Sequence, residues 1–280
     1  MAQLSVTRVG AVAVCTIANP PMGFMDRDTV AELDVMTRDF EADDDVRAVL
    51  LVGGVAGVFV RHYSVVELES MARLLRQAGV TVDPAHALPE RDVDRVFRRI
   101  ETMGKPVIAA LNGTALGGGF ELALACDLRI AEAGDFAFGL PEVNVGLVPG
   151  GGGTQKLARL IGTARALEMT LRGRTVSPAE ALALGMVHEV VAAGGALARA
   201  IVVAQEIAAR PPLAVAHIKR LVRAAVGTPL DEGLARERTL FLDVLVSDAA
   251  LALMHEMNEG KRDIRDLPGA GVSVGRAGVE

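Results

Sequence analysis

The chain contains no tryptophan and one tyrosine, and aromatic residues make up only 3% of its 280 residues. Any core must therefore be aliphatic, and a surface that stacks nucleic-acid bases on aromatic rings is excluded for want of rings. A cationic excess is missing too. Lys and Arg number 29 against 35 Asp and Glu, a net charge of -6, which argues against nucleic acid as a partner. Two cysteines, Cys15 and Cys126, cannot make a disulfide framework; both lie in apolar runs, "VAVCTI" and "LALACD", that suit small buried thiols. The N-terminus "MAQLSVTRVG" lacks a basic-then-apolar leader and no apolar run is long enough to span a bilayer. The expectation is a cytoplasmic protein with no membrane attachment. With 51% hydrophobic and 23% charged residues, the chain can bury a sizeable core.

Punctuation and periodicity give an alternating order. "GAVAVCTIA" (10–18) is rich in β-branched residues and reads as a strand, broken by "NPPMG". Val30, Leu33, Met36 and Phe40 then recur at helical spacing, with Asp26 or Asp28 as the cap. "VRAVLLVGG" (46–54) is a second strand, residues 64–77 a helix, and "AGVTVDPAHALPE" (78–90) a loop. "RDVDRVFRRIETM" puts Val93, Val96, Phe97 and Ile100 on one helical face; "KPVIAAL" and "DLRIA" are short strands, and "NG" after the first of them signals a turn. Strand–helix–strand order at these lengths implies an α/β fold with mainly parallel pairing. "SPAEALALGMVHEVV" opens a helix with Ser177 as cap, Pro178 in its first turn and Gly185 as its stop. From about residue 196 the pattern is helical throughout, and the tail after 261 is polar and glycine-rich.

Two segments carry candidate chemistry. In "TALGGGFELALACD" (114–127), Glu121 is flanked by Phe120, Leu122, Leu124 and Ala125, so a helix here leaves almost no polar face and the carboxylate is expected to be partly buried. Burial raises a carboxyl pKa, which suits proton transfer near neutral pH. The alternative is a glutamate reaching solvent or an arginine at the helix edge. Gly117, Gly118 and Gly119 stand where a strand gives way to this helix, and a glycine-opened N-terminus offers free N–H donors for a phosphate or for half of an oxyanion hole. Tight packing explains three glycines equally well. The second segment, "GLPEVNVGLVPGGGGTQKLARLIG" (139–162), places Glu142 after Pro141 as a possible partner for Glu121. Its "PGGGGT" loop is no P-loop, since no Gly-Lys-Ser/Thr ends it and Lys156 comes two residues after Thr154. "GVSVG" (271–275) matches a nucleophile elbow by chance only, with no partner suitably downstream. The five histidines lack paired ligand spacing, so no metal site is expected.

Taken together, "KPVIAALNGTALGGGFELALACDLRIA" and "FGLPEVNVGLVPGGGGTQKLARLIG" resemble the crotonase, or enoyl-CoA hydratase/isomerase, superfamily over roughly residues 5–262. The resemblance implies a spiral of ββα units carrying the active site over 1–195, a C-terminal helical trimerisation region over 196–262, and a flexible tail over 263–280. It implies an acyl-CoA thioester as substrate, with coenzyme A part of that substrate and no further cofactor, and a homotrimer or dimer of trimers as the assembly. The thioester oxygen is expected between the backbone N–H groups of Tyr63 and Gly118. Glu121 would help activate water and Glu142 would exchange a proton with the α-carbon. Met22, Phe24, Val60, His62, Ser64, Leu116, Gly117, Pro141 and Lys261 match segments that face substrate or coenzyme A. Retention of both carboxylates favours hydration of a 2-enoyl-CoA; another crotonase reaction such as double-bond isomerisation, or a non-catalytic acyl-CoA-binding protein, is the alternative.

The chain departs from the family pattern in three ways. Arg61-His62 replaces a small Ala-Gly pair, and Ser64 stands where Asp is usual, though Ser64 can cap the next helix as Asp would. A positive φ at His62 would strain the loop; either the bulky pair reshapes the acyl or pantetheine pocket, or only the backbone matters there. Finally, one extra residue separates the two glutamates, placed in the "AEAGDF" turn.

Overall fold

In the computed structural model, which describes residues 2–266, the β-branched runs pair into two sheets linked by repeating units. A hairpin of β1 (Leu4–Val9) and β2 (Val12–Ile17) leads to α1 (Arg27–Ala42). Then β3 (Ala48–Gly53) and β4 (Gly57–Val60) precede α2 (Val65–Gln77) and α3 (Asp92–Thr102). Next, β5 (Val107–Leu111) and β6 (Gly113–Leu116) precede α4 (Gly118–Ala125). The following unit joins β7 (Leu128–Glu132) and β8 (Phe138–Gly139) to a 3-10 turn at Glu142–Val145, then to α5 (Gly153–Ile161) and α6 (Thr163–Arg172). After β9 (Thr175–Val176), α7 (Pro178–Ala183) and β10 (Glu189–Val191), the chain is helical: α8 (Ala196–Ala208), α9 (Pro212–Ala225), α10 (Leu230–Leu245) and α11 (Asp248–Asn258). No helix among the described residues is long and apolar enough to cross a membrane.

The β1–β2 hairpin lies wholly in one sheet; in the units that follow, β3, β5 and β7 join that sheet while β4, β6 and β8 join the other. The six-stranded sheet runs β1-β2-β3-β5-β7-β10, parallel except for the β1–β2 hairpin, and the four-stranded sheet runs β4-β6-β8-β9, antiparallel only at β8–β9. Chain progression therefore stacks the units as a spiral. The central strands β3 and β5 of the first sheet are buried along their whole length, as their unbroken aliphatic sequences require, whereas the edge strand β1 is largely exposed. One core lies between the sheets and α1, α3 and α4; Phe59, Phe97, Phe120 and Phe138 fill it. A second core lies on the outer face of the six-stranded sheet, where Ala196, Ala200 and Ala204 let α8 sit close to β2, β3 and β5.

Asp26 is the cap of α1, accepting from Thr29 N at 2.9 Å, with Asp28 left in the first turn. Ser64 caps α2 as expected, and Ser177 caps α7. The "NG" signal marks a switch of sheets rather than a simple turn: the Asn112 amide bonds both the N–H and the carbonyl of Gly53, at 3.0 and 2.8 Å, and Gly113 starts β6. Helices α9, α10 and α11 contain no buried residue and expose Ile218, Val222, Phe241 and Leu251. Helix α9 is fastened to the core by Lys219 and Arg223, which pair with Asp127 at 2.7 and 2.8 Å. Of the tail (263–280), residues 267–280 lie outside the described residues, as does "GVSVG".

Candidate active site

The centre of the site is the N-terminus of α4. Gly117 turns the chain there with φ +48°, a conformation that glycine adopts without strain, and its N–H donates to Gly139 O at 2.9 Å. The next residue, Gly118, opens the helix, so its N–H has no intrahelical acceptor. Opposite it lies the loop after β4. Arg61 N donates to Gly23 O at 2.8 Å, Met25 N to His62 O at 2.9 Å, and Ser64 N to Met25 O at 2.7 Å. Those bonds fix the backbone on both sides of Tyr63. Among the described residues, neither Tyr63 N nor Gly118 N donates to any acceptor. The two are neighbours: a Cβ built on Gly118 would lie 3.4 Å from Tyr63 N and 3.2 Å from Tyr63 Cβ. Two unused amide donors thus lie side by side at a helix N-terminus, where negative charge is stabilised.

Glu121 lies one turn into α4 and is 4% exposed. Its Oε1 accepts from Gly151 N at 2.7 Å and Gly153 N at 2.8 Å, so the "PGGGGT" loop and the first N–H of α5 cradle one carboxylate oxygen. Burial pushes its carboxyl pKa up, while the two amides and the charges of Lys156 and Arg91 pull it back. Glu142 begins the 3-10 turn across Gly117: a Cβ there would meet Glu142 Oε1 at 3.1 Å and His62 Cβ at 3.7 Å. Glu142 is half-buried, and its Oε2 is a buried oxygen with no partner among the described residues. Burial, followed by the nearby negative charge of Glu121, pushes its carboxyl up to about 7. The two carboxyls thus differ in their hydrogen bonding: one oxygen of Glu121 is held by two amides, whereas Glu142 Oε2 is buried without a partner among the described residues.

That asymmetry has a stability consequence. The Glu142 carboxyl rises from an ordinary 4.5 to about 7 on folding, so between those values the folded chain binds more protons than the unfolded chain. Stability from this group is then lost as pH rises through the window. Glu142→Gln, which cannot ionise, should melt higher than the unsubstituted protein at pH 8 and level with it at pH 4; thermal melts at both pH values check this.

The remaining expected residues fall as follows. His62 packs against Phe24 with ring centroids 4.6 Å apart and the planes tilted by 38°, and its Nδ1 lies 2.7 Å from Tyr63 O. No described non-glycine residue has positive φ, so His62 sits in the loop without backbone strain. Arg61 Nε donates to Met22 O at 3.0 Å, which lays the Arg61 side chain along the Met22–Phe24 segment. Tyr63 OH donates to Glu67 at 3.1 Å, and burial together with Glu67 pushes its phenol up to about 12. Val60 is buried, with its carbonyl against Gly119; Leu116 N donates to Arg61 O at 3.0 Å; Pro141 precedes the Glu142 turn; Ser64 Oγ is used as a helix cap. Lys261, whose side chain is 67% exposed, is paired with Glu259 at 2.5 Å. Apart from the second glycine run, nothing local in the sequence marks Gly151, Gly153, Arg91 or Lys156 as neighbours of Glu121, because they come from separate elements.

A family model described as enoyl-CoA hydratase/isomerase matches residues 7–261. The short-chain-enoyl-CoA hydratase of Clostridium acetobutylicum is 36% identical over 234 residues, covering 83% of this chain and 85% of that one. The fatty acid oxidation complex subunit alpha of Shewanella loihica is 33% identical over 231 residues, covering 82% of this chain but 31% of that longer protein. A crystal structure of an enoyl-CoA hydratase subunit I from Geobacillus kaustophilus superposes with a TM-score of 0.81 at 34% identity, covering 94% of this chain and 97% of its own.

Proposed function

Because the chain belongs to the enoyl-CoA hydratase/isomerase family, we propose that it is an enoyl-CoA hydratase and that its reaction runs at the junction of α4, the loop after β4 and the two glycine-flanked carboxylates. The observation that carries this reading is the pair of unpartnered amides, Tyr63 N–H and Gly118 N–H, beside Glu121 and Glu142.

The thioester carbonyl binds between the two amides. Glu121, cradled as a carboxylate, takes a proton from water as the water oxygen bonds to C3. The C2=C3 π electrons shift toward C2 and the carbonyl, placing negative charge on the oxygen held by the amides. Glu142, held protonated toward neutral pH, delivers its proton to C2. The product carries hydroxyl at C3 and hydrogen at C2, and the proton gained by Glu121 returns to Glu142 through solvent. Apolar residues exposed on α9, α10 and α11, such as Val222, Phe241 and Leu251, support assembly as a trimer or dimer of trimers. The two unpaired, buried thiols of Cys15 and Cys126 fit a reducing cytoplasm.

Purified protein given crotonyl-CoA and longer 2-enoyl-CoAs should abolish the conjugated thioester absorbance. The product should be heavier by one water, whereas isomerisation would leave mass unchanged. The hydration rate should fall as pH rises through about 7, because Glu142 then loses the proton it donates. Protein that binds acyl-CoA yet turns over none of these substrates would defeat the proposal.

A further inference from the structure

Two cations grip the loop that cradles Glu121, and the proposed reaction uses neither. Arg91, the residue that opens α3, donates from its guanidinium to the carbonyl of Gly150. That carbonyl shares a peptide unit with Gly151 N–H, which donates to Glu121 Oε1 at 2.7 Å. Cation, peptide and carboxylate thus lie in series. Lys156 on α5 takes the next carbonyl: its Nζ is 3.2 Å from Gly151 O and 5.2 Å from the centre of the Phe97 ring. Gly151 is therefore held by Glu121 at its N–H and by Lys156 at its carbonyl. There is no room for a side chain between them, since a Cβ on Gly151 would stand 2.7 Å from Glu121 Oε2 and 2.8 Å from Phe97.

We propose that Arg91 and Lys156 are positioning residues for Glu121, holding its carboxylate oriented and anionic through the Gly150–Gly151 segment. The proposal rests on the hydration reading for its bearing on catalysis, and on the loop geometry alone for its effect on Glu121. A carbonyl bound to a cation polarises its peptide, and the N–H at the other end becomes a stronger donor. The same charges act directly on Glu121, opposing the burial that favours its neutral form.

The other charged groups facing these residues set the size of the effect. Glu142, on the 3-10 turn, repels a charge on Glu121. Asp94 on α3 accepts from Arg91 Nε and its terminal nitrogen at 2.8 Å each, and Glu101 pairs with Lys156 at 3.2 Å. Both acids hold the cations in place while partly neutralising them. Glu101 also lies 3.7 Å from Arg223, so the ion-pair chain reaches α9. Arg91 has a side chain 58% exposed and Lys156 one 20% exposed, so solvent screens Arg91 more and Lys156 has the larger influence.

The test uses the full chain labelled with 13C-glutamate, following the Glu121 carboxyl resonance, assigned by its loss in Glu121→Gln, through a pH titration. Its midpoint should rise by about half a pH unit or more in Lys156→Met, rise less in Arg91→Met, and stay in place in Lys156→Arg. The acidic limb of kcat for crotonyl-CoA hydration should move in the same order, with KM changing less than kcat. Unmoved titration midpoints in folded Lys156→Met and Arg91→Met would overturn the proposal even if kcat fell, because lost packing lowers a rate without retuning a carboxylate. Should Lys156→Met fail to fold, the exposed Arg91 site carries the test. Failure of the unsubstituted protein to hydrate any enoyl-CoA would defeat the hydration reading, while the resonance would still decide the positioning claim.

Discussion

Glu121→Gln should lower kcat for enoyl-CoA hydration by about 10²–10⁴-fold, the usual worth of a positioned acid or base, while acyl-CoA affinity changes only a few-fold. The substitution is unusually clean at this position. Glutamine retains an Oε1 that can accept from Gly151 N and Gly153 N, the two bonds that fix the side chain. The glycine loop and α5 therefore keep their anchor. The variant loses the ability to take a proton from water, and it replaces the second carboxylate oxygen with an NH₂ donor. Since Glu121 is a buried carboxyl whose ionised form burial disfavours, the neutral amide should not lower the melting temperature. Steady-state kinetics with crotonyl-CoA, calorimetric binding of a saturated acyl-CoA and a thermal melt measure the three quantities. Undiminished kcat would remove Glu121 from the chemistry.

The second large effect is expected at a residue that touches no substrate. A Cβ on Gly119 would lie 2.0 Å from Val60 O and 2.7 Å from Val60 C. Those are backbone atoms of β4, which cannot rotate aside as a side chain end could. In Gly119→Ala, α4 must move off β4, and the amides of Gly118 and Tyr63, one and three residues from the clash, must separate. Overpacking typically costs 1–3 kcal/mol, and a backbone clash belongs at about 3 kcal/mol, a melting-temperature drop on the order of 6–12 °C at this chain length. A displacement of about 1 Å in the oxyanion donors costs roughly 100-fold in rate. Gly233→Ala on α10 is the control: no atom lies within 4 Å of its Cβ position, and the change should slightly stabilise the helix. Full activity and an unchanged melt in Gly119→Ala would contradict the close approach of α4 to β4.

Much of this was legible before any coordinates. The strands at 48–53 and 107–111 and the helices at 27–42 and 92–102 follow from runs and spacings that leave few alternatives. The Ser64, Asp26 and Ser177 caps follow from short polar side chains preceding helical patterns. Strands β6, β8 and β9 escaped a reading of periods because two to four residues carry no period, and β6 hides behind an "NG" that resembles a turn. The paired glutamates could be named from their segments, yet which would be cradled and which left poorly solvated could not.

Composition and periodicity suffice for an aliphatic α/β chain, and local motifs for its family resemblance and the residues able to do proton chemistry, because these are properties of neighbours along the chain. The tertiary structure alone decided that Tyr63 N–H and Gly118 N–H adjoin, that Gly151 and Gly153 seize Glu121, and that Arg91 reaches Gly150 across 59 positions. These contacts form only when separate ββα units stack, and their energies depend on burial and on distances that linear order does not encode.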